Sequence, residues 1–174
     1  MKELKEDYIC CLGLNMNNKY TSDLRALLCE FEEIKKWEDS NPTDSSKRLY
    51  FDNYLIVRSC GQIERIFKDI IYDSASQGSK TECKNYLTNT VLESSLNPSK
   101  DNICQLLNKF SKDWNRDFKT SIQNNYRLNQ LDSLVSLRNG FSHGNINTSV
   151  SIMNIREYFI SSIWIMNKLY NAVQ

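Results

Sequence analysis

Apolar residues recur at helical spacing along most of the chain. Leu24, Leu27, Leu28, Phe31 and Ile34 form the first clear stripe. It predicts a helix that starts near Thr21 or Ser22, either of which can serve as N-cap. That helix should stop near Ser40, because Asn41-Pro42 follows. A cap at residues 44–46 opens a long helix to about Ser76. Its apolar face is Leu55, Ile56, Cys60, Ile63, Phe67, Ile70 and Ile71. Tyr50, Tyr54, Val57, Gly61 and Glu64 mark a second line on it. Tyr86, Leu87, Val91 and Leu92 predict the inward face of a helix from about Thr81 to Ser94. Ser99 can cap a helix that buries Ile103, Leu106, Leu107 and Phe110. Trp114, Phe118 and Ile122 stand at spacing four, so residues 111–125 are either a helix or an ordered excursion. Leu131, Leu134 and Phe141, with Val135 and Leu137 beside them, predict a late buried helix. A short polar loop, 144–148, follows. Ile152, Ile155, Phe159, Ile163, Met166 and Leu169 then form a closing helix that begins near Ser149 or Ser151.

This pattern predicts an all-α fold, a helical bundle of about five or six helices. At 174 residues, one domain over 1–174 is expected, with 1–20 as an N-terminal arm; Tyr8 to Leu14 reads as a short helix or an extended segment. The 40% hydrophobic and 25% charged residues indicate a globular chain, and only two Pro and five Gly interrupt it. The formal net charge of +1 means that any nucleic-acid surface must be a local patch. The six cysteines contain no C-x-x-C pair, and there is a single histidine, so a structural zinc site is not expected, nor any cofactor. Several of these cysteines sit among apolar positions, where a thiol acts as a small hydrophobe. Glu3, Glu6 and Asp7 are wrong for a secretory leader, and no apolar run approaches the ~18 residues of a membrane span. A cytoplasmic protein with reduced thiols and no membrane association is the expectation.

One stretch departs from an ordinary scaffold: LDSLVSLRNGFSHGN, residues 131–145. It holds the only histidine, His143, with Arg138 and Asn139 five and four residues before it. Arg138 follows Leu131 by seven and Leu134 by four, so it falls on the apolar stripe. A guanidinium there needs an anion or carbonyl oxygens. Asn139 and His143 are neighbours on a regular helix, and Gly140 and Gly144 let it end or bend. The bland alternative is a histidine that merely places a favourable charge at a helix end. The sharper one is a guanidinium, an amide and an imidazole that together suit a phosphate and a proton transfer.

LRNGFSHG, ending a helix late in an all-helical chain, resembles the Arg-x4-His motif of the HEPN superfamily. Asn directly after the Arg and Gly directly after the His are common there. YLIVRSCGQIERIFKDII resembles the long early helix of that superfamily. NPSKDNICQLLNKF, followed by a Trp and a Phe, resembles the middle segment of the RiboL-PSP-type HEPN group. SVSIMNIREYFISSIWIMNKLY resembles its closing helix. The resemblance covers most of the chain from about Leu49 onward.

The resemblance implies a HEPN-like bundle and a metal-independent endoribonuclease, a toxin or an antiviral defence effector, with Arg138, Asn139 and His143 as the catalytic set. RNA would be the substrate, and an antitoxin or defence-system protein a partner. Many HEPN toxins paired with a nucleotidyltransferase carry a Tyr two residues after the His. Asn145 stands there instead, so control by adenylylation of that Tyr is not expected. The chemistry itself needs a base for the ribose 2′-hydroxyl, an acid for the leaving oxygen and positive charge on the phosphorane. His143 can act as either base or acid. Arg138 can hold the phosphate in a bidentate grip. Asn139 can orient the imidazole or donate to the phosphate. One histidine per chain means that a base–acid pair needs two chains. The resemblance implies the same arrangement, a homodimer with two motifs across its interface. Glu64 is a candidate supporting acid for Arg138 or His143, against the simpler reading of a solvated or paired carboxylate. Lys112, Arg116, Lys119 and Arg127 are a candidate RNA-facing cluster, against the simpler reading of a solvated helix face. The alternative function is a non-catalytic dimer that binds RNA or assembles with a partner protein.

Overall fold

The computed structural model describes residues 14–144 and 150–174. Among these run seven α-helices and one π-helical turn, with no strand. They are α1 (Asn18–Ser40), α2 (Ser45–Ser76), α3 (Thr81–Leu87), the π turn (Thr88–Leu92), α4 (Lys100–Phe110), α5 (Lys112–Ile122), α6 (Arg127–Ser142) and α7 (Ile152–Ala172). The class is all-α as the pattern predicts, but the helices outnumber the five or six expected. Ser111 is the reason. Its N–H donates to the Leu107 carbonyl at 2.8 Å, closing α4, while its hydroxyl accepts the Trp114 N–H at 3.3 Å, opening α5.

Helix starts follow side-chain caps. Asp44, Ser99 and Ser151 accept from the N–H groups of Lys47, Asn102 and Asn154 and open α2, α4 and α7. The first helix begins earlier than Thr21 or Ser22. Asn17 caps it by accepting the Lys19 N–H at 3.1 Å, and Thr21 is a buried interior residue. The helix expected over 81–94 changes character after Leu87. The Thr88 and Thr90 hydroxyls bond back to the Lys84 and Tyr86 carbonyls at 3.0 and 2.7 Å. Such back-bonds compete with the regular ladder. Glu93 N–H then reaches the Thr88 carbonyl at 3.0 Å, five residues back.

α7 is the hub. It packs on α6, α2, α5 and α1, which explains why it is apolar nearly all round. Ile155, Phe159, Ile163, Met166 and Leu169 are fully excluded from solvent, and Phe159 stacks on Phe31 of α1 with centroids 5.8 Å apart. Burying each of these side chains favours folding by about 1.5–3 kcal/mol. Three residues expected inside lie outside. Tyr86 is 68% exposed, Phe141 38% and Phe110 36%. Short α3 buries only Leu87. Phe110 is the last residue of α4 and leans on Trp114, with centroids 6.4 Å apart. Phe141 lies past the end of the α6 contact face, which buries Leu131, Leu134 and Val135.

Met16 is buried and Asn15 N–H donates to the Asn167 side chain at 2.9 Å, so the described end of the N-terminal arm is packed on α7. The expectations for residues 1–13 and for loop positions 145–148, Asn145 among them, lie outside the described residues. Cys29, Cys60, Cys83 and Cys104 are free thiols. Among the described residues no helix is long and apolar enough to cross a membrane.

Candidate active site

The motif helix α6 is anchored at its beginning and released at its end. Asn124 takes the left-handed conformation, φ 54°, which a short polar side chain tolerates. The Asn125 side chain accepts the Arg127 N–H at 3.0 Å and turns the chain into the helix. Leu131, Leu134 and Val135 dock the helix against α7 and α2. At the other end, His143 is the C-cap. Its N–H is shared between the Asn139 and Gly140 carbonyls, each at 3.1 Å. Gly144 follows at φ +82°, and its N–H reaches the Phe141 carbonyl at 3.0 Å. A helix that stops this way wants glycine at the left-handed position. The imidazole is therefore carried at the very end of the helix, exposed to solvent.

Arg138 is half-buried one turn before. Its guanidinium donates to the Asn139 side-chain oxygen at 3.3 Å. Among the described residues no carboxylate stands within ion-pair distance of it. Its charge does reach Cys60 of α2. Burial pushes the Cys60 thiol up to about 11, Arg138 pulls against that and Glu64 adds to it. The guanidinium thus sits on the side of α6 that faces α2, with no carboxylate bound to it. An unpaired, partly desolvated guanidinium beside an amide and an exposed imidazole can bind an anion and move a proton near it.

Glu64 does not join this group. Its carboxylate accepts from Lys68 Nζ at 2.7 Å. The Lys68 side chain is 8% exposed and also donates to the Ser94 carbonyl, tying α2 to the segment after the π turn. Glu64 and Arg138 meet only as two charges acting on Cys60. Lys68 is a residue that the sequence reading passed over. Its signal was present: a lysine four after a glutamate, inside an apolar run.

The four basic candidates are dispersed. Arg116 is neutralised by Asp113 at 2.6 Å and Asp117 at 3.1 Å. Arg127 lies over the Trp164 ring at 4.9 Å and the Tyr126 ring at 5.2 Å. Lys112 is solvent-exposed at the start of α5. Lys119 borders a cavity between α4 and α5, with Lys100 on the other helix. Among the described residues no three His, Cys, Asp or Glu side chains are grouped so as to hold a metal ion.

Two large apolar side chains are exposed near the end of α6 that carries His143. Phe141 of α6 and Met153 of α7, 52% exposed, lie on either side of the connection between these helices. No curated protein and no solved structure matches the chain. A family model does: RiboL-PSP-HEPN matches residues 22–174, so the match takes in nearly all of α1 and starts well before Leu49.

Proposed function

The chain belongs to the RiboL-PSP-HEPN family, and from that premise we propose that it is a metal-independent endoribonuclease working as a homodimer. The observation that carries this reading is Arg138, a guanidinium held by Asn139 and bound to no carboxylate among the described residues, one turn from an exposed His143. Such a site has spare positive charge for a phosphodiester and a group able to exchange a proton with it.

The reaction follows from these groups. The neutral imidazole of one His143 takes the proton of a ribose 2′-hydroxyl. The 2′-oxygen attacks the adjacent phosphorus. Arg138 donates two parallel hydrogen bonds to the non-bridging oxygens as charge builds on them. The bond from phosphorus to the 5′-oxygen breaks, and that oxygen leaves with a proton from the imidazolium of the second chain's His143. The products are a 2′,3′-cyclic phosphate and a 5′-hydroxyl. Exposed Phe141 and Met153 beside the motif give the second chain an apolar surface to cover. The reading as a toxin or defence effector rests on the resemblance alone.

The test is cleavage of end-labelled RNA in EDTA by wild type, His143→Ala and Arg138→Ala. Cutting by wild type alone, with cyclic phosphate ends, is the expected result. A wild type that binds RNA without cutting it, across tRNA, rRNA and mRNA pools, would turn the reading to a non-catalytic binding module.

A further inference from the structure

The cavity between α4 and α5 has a volume of about 350 Å³, the size of a small-molecule site. Lys100, Asp101, Gln105 and Asn108 line it from α4, and Asn115 and Lys119 from α5. Burial holds the Cys104 thiol above its ordinary value, with Lys119 and Lys100 pulling it down and Asp101 pushing it up. Two cations and three amides around an open space make a surface for a phosphate and the polar groups next to it.

Its position relative to the motif can be read along α6. Asp132 of α6 lies close enough to the start of α4 for Lys100 to act on its carboxyl, and α4 packs on α6. Asp132, Ser136, Asn139 and His143 are separated by four, three and four residues, so they share one line of the helix. At a rise of ~1.5 Å per residue, the eleven residues from Asp132 to His143 span roughly 16 Å. A stacked strand advances ~3.4 Å per nucleotide, so that length of α6 corresponds to about five nucleotides.

We infer that this cavity is an RNA subsite, holding a backbone phosphate of the substrate strand between Lys100 and Lys119 a few nucleotides from the scissile bond. The inference rests on the nuclease reading for the word substrate, and on the cavity alone for the binding of single-stranded RNA.

The experiment is fluorescence anisotropy of a labelled 2′-O-methyl 12-mer, which cannot be cut, titrated with the full chain in EDTA at several salt concentrations. Lys100→Gln/Lys119→Gln is expected to raise Kd about tenfold and to flatten the log–log salt slope by about 1.4, the value for two lost contacts to a single strand. Lys100→Arg/Lys119→Arg is expected to restore binding. Lys36→Gln/Lys80→Gln, exposed lysines elsewhere, removes the same net charge and should change Kd by less than twofold. Melting curves establish that each variant is folded. Wild-type affinity in the cavity variant would overturn the inference, as would equal weakening by the two double glutamine variants or no binding by wild type. Stabilisation of wild type by AMP or inorganic phosphate, lost in the cavity variant while 12-mer affinity holds, would reassign the cavity to a free nucleotide. Cavity-dependent binding without any cleavage would sink the nuclease reading and leave the subsite standing. Cleavage with unaltered binding by the cavity variant would do the reverse.

Discussion

Arg138 donates to the side chain of its own sequence neighbour, Asn139, at 3.3 Å. Adjacent helical residues ordinarily point about 100° apart. No carboxylate among the described residues competes with this bond for the guanidinium. The bond keeps the charge near the helix end instead of letting it extend into solvent. Arg138→Lys should therefore cost far more than a conservative exchange, since an ammonium cannot make the bidentate grip. A drop in kcat/KM of about 10²-fold is expected, in the range of one lost transition-state donor. Asn139→Ala should cost about tenfold, mostly in KM. Steady-state cleavage of a short labelled RNA separates the two.

His143→Ala should lower kcat by about 10²–10⁴-fold, the usual contribution of a proton-transfer group. It should barely change stability, because the side chain is exposed and touches none of the core. A melting curve within a degree or two of wild type, beside a dead enzyme, is the expected pair of results. A large fall in Tm would return the residue to a purely structural role.

If both histidines of a dimer are needed, inactive chains are poison. Adding an excess of His143→Ala chain to wild type, with time to exchange subunits, should depress activity per wild-type chain. Activity indifferent to the excess would mean that one chain suffices.

Gly144 offers a test of the helix end without touching the chemistry. Its φ of +82° disfavours any residue with a Cβ, yet among the described residues nothing lies within 4 Å of where that Cβ would stand. The cost of Gly144→Ala is thus backbone strain alone, about 1–2 kcal/mol. It should fray the last turn and reduce cleavage, while Gly144→Asn, tolerated at such positions, recovers most of it.

Asp52 predicts a pH dependence away from the site. Burial, then the nearby Glu38, push its carboxyl up to about 6, with Arg48 pulling the other way. Its folded pKa thus lies above the unfolded one, so the native state holds the proton more tightly. Stability from this group falls as pH rises from about 4 through about 6 and stays lost above. Asp52→Asn should stabilise the protein at pH 7.5 and give no gain at pH 4. The group is half-exposed, so the shift converts to only about 1 kcal/mol after screening. Thermal melts at the two pH values would show a gain of a few degrees at the higher one only.

The periodicity of apolar residues was enough to determine the all-α class and most helix ends, because a helix is a local object. Asp44, Ser99 and Ser151 cap their own next turn, and Ile155, Phe159 and Ile163 declare an inward face by spacing alone. The helix end at His143-Gly144 was legible for the same reason, since a left-handed glycine closes a helix within four residues. What the sequence left open depended on distant partners. Glu64 read either as a supporting acid for Arg138 or His143 or as a solvated or paired carboxylate, and the inward-turned Lys68 pairs with it. Lys112, Arg116, Lys119 and Arg127 read either as an RNA-facing cluster or as a solvated helix face, and two aspartates and two aromatic rings claim two of the four. Lys100 and Lys119, nineteen residues apart, became neighbours only when Ser111 folded α5 back along α4. Burial and charge pairing are settled by which helices meet, and that is a property of the packed bundle rather than of any stretch of it.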